Sequence, residues 1–428
     1  MSKNWGNYPK VNTSSKQFSL DEKAKIISNQ CLPYGNGRSY GDSCLSPNLI
    51  EMKNYNKLLS FNKDNGLLLV ESGILLSEII DSILQHGWFL KIVPGTKFVT
   101  VGGAIAADIH GKNHHKEGTF SNCINWFEIL LPDNKVIKCS RDKNADIFRA
   151  TCGGMGLTGI ILNVSLNLQR VNSSKIKQTT IKSKNLKDTF KIFDKIGNEH
   201  YSVAWIDCLS KGEKMGRSLI MYGEFCDDGE LRYNKPYKLN VPFYLPSFLL
   251  NSLTVKLFNF IYYNRIFSRI RKDNISFDKF FFPLDSIKNW NKIYGNGGFT
   301  QYQFVLPLEN SYDGISEILK KIADSGKGSF LAVLKLFGDE NNNYMSFPMK
   351  GYTLALDFKI EKGLFDLLKI LDQIVLKYEG RIYLAKDVRM GKYVFEKGYP
   401  NLKKFIKLRE KYNLVNYFSS FQSERLNI

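Results

Sequence analysis

The chain has 428 residues, 43% hydrophobic and 24% charged, which excludes an intrinsically disordered chain and exceeds one ordinary core, so two domains are expected. Lys and Arg number 60 against 41 Asp and Glu, a formal charge of +19. That balance attracts phosphates, nucleic acid or an anionic lipid face, or serves only solubility, and charge alone does not choose among these.

No RNA- or DNA-binding signature is present. The seven cysteines have no CxxC pair and no zinc-like spacing, so free thiols in a reducing compartment are expected. The opening MSKNWGNYPKVNTSSK lacks the apolar core of a signal peptide, and a cytoplasmic location is expected.

In chain order, residues 1–170 alternate short β-branched runs, Gly-rich turns and one clear helix, the pattern of an α+β domain. GLLLVESG (66–73) reads as a strand. Leu76, Ile79, Ile80, Ile83 and Leu84 follow helical spacing, with Gly87 as the stop. GIILNVSLNL (159–168) reads as a closing strand, and a boundary is placed near Arg170. Within 171–380, strands are expected at 300–308, 329–338 and 352–360 and helices at 315–326 and 364–380, which makes a sheet covered on one face by helices. The apolar stretch 241–267 is interrupted by Pro246, Asn251, Lys256, Asn259 and Asn264, so it is no transmembrane span. It reads first as an ordinary buried segment with a basic end, and second as a segment lying against a bilayer with Arg265, Arg269, Arg271 and Lys272 towards lipid phosphates.

Three motifs carry chemistry. YGNGRSYGD (34–42) combines glycines, which allow backbone N–H groups close approach to an anion, with Arg38 as a fixed positive fork; its spacing is not that of a nicotinamide-binding turn. VPGTKFVTVGGAIAADIHGKNHH (93–115) is so rich in small residues that something flat must fill the space left by side chains, and a planar cofactor is the natural occupant. Its three histidines, without acidic or Cys companions, are a weak metal signal, and no metal is expected. CGGMGLTGIILNVSL (152–166) is a Gly-rich turn entering an apolar strand whose backbone can bond an adenine edge; alone it reads as a tight turn before a core strand.

Together the three segments resemble the FAD-binding (PCMH-type) domain of the vanillyl-alcohol-oxidase-like superfamily. GNGRSYGD, GGMGLTGII, FPLD (282–285), QYQF (301–304), LKLFG (334–338) and RIYLAKD (381–387) narrow the resemblance to its decaprenylphosphoryl-ribose oxidase branch. The resemblance implies an FAD-binding domain at 1–170 completed by 381–428, and a substrate-binding domain at 171–380 built on an antiparallel sheet. It implies FAD held without a covalent bond by Pro33, Tyr34, Gly35, Asn36, Gly37, Arg38, Ser39, Tyr40, Gly41, Asp42, Gly95, Thr100, Val101, Gly102, Gly103, Ala107, Asp108, Ile109, His110, Ile161 and Tyr383. The implied reaction oxidises the C2 hydroxyl of a ribofuranose on a polyprenyl phosphate to the 2-keto sugar, the first half of an epimerisation that a separate short-chain reductase completes, in cell-envelope glycan synthesis.

Hydride delivery and removal of the hydroxyl proton need a polar group beside that hydroxyl. Lys386, His110 and Tyr40 are the catalytic candidates, and Gln303, Lys335, Thr353 and Lys386 are expected to meet the substrate. The bland alternatives are a surface Lys386 paired with Asp387 and a satisfied buried His110.

Two departures touch the pocket: Thr353 and Ala355 stand where the best-known members of that branch carry Asn and Cys. Near the end, Phe418-Ser419-Ser420-Phe421 replaces a Phe-x-Ser-Asp pattern. Rival readings are a same-fold oxidoreductase acting on an aldonolactone or a nucleotide-linked sugar, and a non-catalytic flavin-binding protein. The expected setting is cytoplasmic, peripheral at the inner membrane face if 241–267 touches lipid.

Overall fold

A computed structural model describes residues 4–21, 30–233, 235 and 239–428. Residues 58–170 build a six-stranded antiparallel sheet in the order Leu58–Asn62, Leu67–Glu71, Ile160–Arg170, Ile124–Leu130 and Val136–Cys139, with Trp88–Leu90 also paired to Ile160–Arg170. The helix Leu76–Ile83 buries Leu76, Ile79, Ile80 and Ile83, each a side chain worth about 1.5–3 kcal/mol when fully buried. Glu78 folds back to accept the Leu75 N–H at 2.8 Å, and a 3₁₀ turn ends the element at Gly87, whose φ of 76° is left-handed. A small parallel sheet, Ser14–Gln17, Asn48–Glu51 and Leu32–Tyr34, stands beside it.

The other large layer is an eight-stranded antiparallel sheet. Its order is Ile270–Ser276, Lys175–Ser183, Ser218–Phe225, Tyr201–Ile206, Ala332–Phe337, Gly351–Lys359, Phe299–Pro307 and Arg381–Ile382. The helices Leu186–Lys195, Ser311–Ser325 and Leu364–Lys377 cover one face. Alternation decides which side chains go where. Tyr302 turns towards the helices and bonds Asp372 at 3.0 Å, whereas Gln301 and Gln303 turn to the opposite face. There the register sets Gln303, Ala355, Val333 and Trp205 side by side across four strands.

Four strands of this sheet, at 175–183, 201–206, 218–225 and 270–276, have no counterpart among the sequence expectations. Arg381–Ile382 is its edge strand, so the chain leaves this sheet only at Tyr383. The segment beyond then lies against the N-terminal part. Tyr40 N–H donates to Ala385 O (3.1 Å), Cys31 N–H to Tyr417 O (2.8 Å) and Ser419 N–H to Cys31 O (3.1 Å). Arg425 binds both carboxylate oxygens of Asp42 at 2.9 Å and Asp387 at 2.7 Å.

The stretch 241–267 departs from its first reading. It forms the helix Ser252–Asn264 flanked by loops, and only Val255 and Asn259 of the helix are buried. A helix apolar on every side gives no periodicity from which to tell the packed face from the exposed one.

Candidate active site

Between the helix-free face of the large sheet and the glycine-rich loops lies a cavity of about 1080 Å³. This exceeds the ~300–1,000 Å³ of an ordinary small-molecule site and has room for a dinucleotide together with a second molecule. Of the sequence-derived candidates, Pro33, Gly35–Tyr40, Gly95, Thr100, Gly102, Gly103, Ala107, Ile109, His110, Ile161, Gln303, Lys335, Tyr383 and Lys386 line it.

Six candidates do not. Val101 is fully buried, and Gly41 packs so tightly that a Cβ there would stand 1.8 Å from Asp387 O. Tyr34 also lies off the wall, and Asp42 is engaged by Arg425. Asp108, in a left-handed conformation at φ 38°, is enclosed by Ser121 N–H, Asn341, Asn343 and Ser346 at 2.7–3.0 Å. Thr353 sits behind the wall, accepting from Gln303 Nε2 at 3.2 Å and donating to Phe304 O at 2.8 Å.

The wall on the loop side suits a flavin dinucleotide. The backbone N–H groups of Asn36, Gly37 and Arg38 donate to nothing else among the described residues. The Arg38 guanidinium lies 4.1 Å over the Trp5 ring and 5.5 Å from that of Phe98, with Nε buried and unpartnered. Burial lowers its pKa, and Asp285 is the first carboxylate opposing that. Such a fixed fork beside free N–H groups is an anion cradle. A Cβ on Gly95 would meet nothing within 4 Å, and one on Gly35 would stand 2.4 Å from Thr100 Oγ1. That threonine caps the helix Val101–Ala106 by accepting from Gly103 N–H at 3.1 Å. Asp285, of the FPLD motif, ties the far layer to this loop by accepting from Thr96 (2.7 Å) and Lys97 N–H (2.9 Å).

Three histidines of the second motif have three separate destinations. His114 accepts from Gly338 N–H at 3.1 Å, and His115 meets Glu199 O at 2.8 Å. His110 stands among Phe337, Phe347 and Tyr383 with Nε2 3.0 Å from Gln303 Nε2. The Gln303 amide therefore gives one hydrogen to His110 and the other to Thr353. His110 then carries its own proton on Nδ1, which is buried without a partner. Burial, with Lys335, His114 and Lys386 adding to it, holds the His110 pKa well below the usual histidine range, so the ring is neutral.

On the sheet side the floor is cationic. Lys386 Nζ lies 3.8 Å over the Tyr40 ring. Burial pushes its pKa down, Asp357 opposes that, and Lys335 adds to it. Asp357 is almost fully buried, accepts from Gln301 at 2.5 Å and has its own pKa pushed up by burial. Lys335 and Lys112 are lowered by burial to about 8 and about 7. Lys112 donates to Phe280 O and lies 4.2 Å from the Phe280 ring. Asp387 is taken by Arg425, so it is not the partner of Lys386.

Asp357, Gln301, Lys112 and Trp205 escaped the sequence reading. Period-two spacing was the signal for two of them: Gln301 with Gln303, and Asp357 with Thr353 and Ala355, share one face of their strands, whereas Lys112 in a turn and Trp205 on an unexpected strand gave none. The Phe418–Phe421 departure lies away from the cavity, where Ser420 caps the helix Phe421–Leu426.

Comparison with known proteins agrees with this geometry. Residues 24–140 match the FAD binding domain family. The chain is 35% identical over 410 residues to decaprenylphosphoryl-beta-D-ribose oxidase of Mycolicibacterium smegmatis, covering 92% of this chain and 88% of that protein. The chain belongs to the decaprenylphosphoryl-β-D-ribose oxidase family. It is an FAD-dependent oxidoreductase of α+β, PCMH-type fold. L-gulonolactone oxidase of Mus musculus is a more distant relative, 24% identical over 95% of this chain and 90% of that protein. Among the described residues no helix is long and apolar enough to cross a membrane.

Proposed function

We propose that this enzyme oxidises the C2 hydroxyl of a β-D-ribose carried on a polyprenyl phosphate, giving the 2-keto sugar, with FAD held non-covalently. The observation that carries the reading is the pair of buried lysines Lys112 and Lys335, set beside Lys386 and facing a flavin-type cradle, in a chain of this family. Buried ammonium groups of depressed pKa gain most from an anionic substrate, and a neutral lactone would not use them.

Gly35 to Ser39, Thr100, Gly102, Gly103, Ala107, Ile161 and Tyr383 would hold the cofactor, with Arg38 on its pyrophosphate. When bound, FAD accepts the two electrons and the hydrogen that leave the carbinol carbon. Lys386, whose depressed pKa keeps a neutral amine available near neutral pH, takes the hydroxyl proton. Asp357 then balances the ammonium so formed, which the Tyr40 ring, 3.8 Å from Nζ, also favours. His110 lines the cofactor side of the cavity and is no base, because its lone pair already faces Gln303. Lys112 and Lys335 neutralise the phosphodiester, while Gln303, fixed by Thr353, lines the sugar pocket. A separate short-chain reductase would consume the 2-keto product, and the enzyme would meet its lipid substrate at the inner membrane face.

The test is the visible spectrum of the purified, FAD-loaded protein, followed anaerobically on adding a polyprenylphosphoryl-β-D-ribose analogue. Bleaching by that compound and not by L-gulono-1,4-lactone is expected. Bleaching by the lactone alone moves the substrate to the other branch, and no bleaching by any sugar overturns the reading. Release of all flavin on acid precipitation is expected, and flavin retained on the protein would contradict non-covalent binding.

A further inference from the structure

The segment 239–272 holds Lys256, Arg265, Arg269, Arg271 and Lys272 and no acidic residue. Its apolar side chains are turned out of the molecule: Leu253 is 76% exposed, Phe248 72% and Phe267 98%, and Leu257, Phe260 and Ile261 continue the stripe along the helix Ser252–Asn264. So much contiguous apolar surface is unusual on a protein that meets only water.

The patch is anchored. Asn259, fully buried, donates to Asp207 at 2.8 Å, Tyr263 OH reaches Ser183 O at 3.0 Å, and Lys359 Nζ holds Ser247 O and Leu250 O at 2.9 and 2.7 Å. The same helix lines the cavity through Phe258 and Tyr262, and Arg265 just past its end does so too, as do Leu284 and Ile287. One helix thus joins the outer apolar stripe to the wall of the cavity.

Charge selects the occupant. Two copies of this face would oppose like charges, since Lys256 and Lys272 have no carboxylate partner among the described residues; Arg271 and Arg269 reach Asp273 at 2.8 Å and Asp188 at 3.8 Å, both outside the segment. A bilayer with anionic headgroups offers the complement, with apolar side chains entering the acyl boundary and basic groups at the phosphates. We infer that the surface formed by residues 239–272 docks on an anionic bilayer, and, resting on the reading of a lipid-linked substrate, that the prenyl chain enters the cavity beside the helix Ser252–Asn264.

Co-sedimentation of the FAD-loaded enzyme with vesicles of phosphatidylglycerol and phosphatidylcholine tests this, against vesicles of phosphatidylcholine alone. Binding to the anionic vesicles is expected to be at least tenfold tighter and to weaken as salt is raised. The triple variant L257E/F260E/I261E, whose sites lie outside the cavity, should lose at least tenfold in vesicle affinity with its flavin spectrum unchanged. Wild-type enzyme that stays in solution with anionic vesicles overturns the inference, as does a variant that binds equally well. So does light scattering that shows a wild-type dimer which the variant splits, because a second copy then covers the face. Flavin bleaching by a soluble short-chain substrate separates the two readings: vesicle binding without any sugar oxidation would sink only the proposed reaction.

Discussion

His110 Nε2 lies 3.0 Å from the amide nitrogen of Gln303, and this contact places the imidazole proton on Nδ1. The ring also forms part of the cavity wall beside the glycine-rich loops, so cutting it back to a methyl group opens a gap where the cofactor would lie. His110→Ala should therefore weaken FAD retention by roughly tenfold to a hundredfold, the equivalent of ~1.4–2.7 kcal/mol. Its pH profile should keep the same limbs, measured by flavin titration and initial rates. Loss of the acidic limb with FAD binding intact would instead make His110 the base.

Gly35 and Thr100 make a second testable pair. A Cβ on Gly35 would stand 2.4 Å from Thr100 Oγ1, which must then leave the Gly103 N–H. Losing such a cap costs about 1 kcal/mol, and the displaced loop is the one that offers free N–H groups. Gly35→Ala should fold with a modest fall in Tm and release FAD on gel filtration. Full flavin content in G35A would show that the loop is not the cofactor cradle.

The glycine loops and the helix Leu76–Ile83 were legible in the sequence because their signals are local: backbone conformations that favour Gly, and apolar residues three and four apart. The floor of the cavity was less so. Gln303, Ala355, Val333 and Trp205 become neighbours only through the register of four strands, and no short window contains that relation. Lys175–Ser183, with its mixed KIKQTTIKS sequence, gave too weak an apolar alternation to announce a strand. The helix Ser252–Asn264 misled for a different reason. Its outward Leu257 and Ile261 are as apolar as its inward Val255, so composition favoured burial on both sides.

Ala355 faces the cavity between Gln303 and Val333, and the cysteine that also lines it, Cys44, has its thiol pushed by burial up to about 12. The thiolate, which is the reactive form, is therefore scarce at neutral pH. Electrophiles that reach the cavity should leave Cys44 of the wild-type protein unmodified, as peptide mass mapping would register. Ala355→Cys should create one adduct site without loss of FAD. An adduct on Cys44 in the wild-type protein would contradict this.

Lys386 and Asp357 set the pH dependence. Lys386 is pushed down by burial and held up by Asp357, and the proposed proton acceptor is its neutral amine. Activity should thus fall as pH drops through the Lys386 pKa. Asp357→Asn removes the carboxylate that favours the ammonium, so the pKa falls further and the acidic limb moves to lower pH. Lys386→Arg cannot supply a neutral base, because a guanidinium stays charged, and it should lose at least ~10²-fold in turnover with FAD still bound. If K386R kept near-normal turnover, the side chain would be acting as a cation alone. A D357N limb displaced to higher pH would mean that the titrating group is not this lysine.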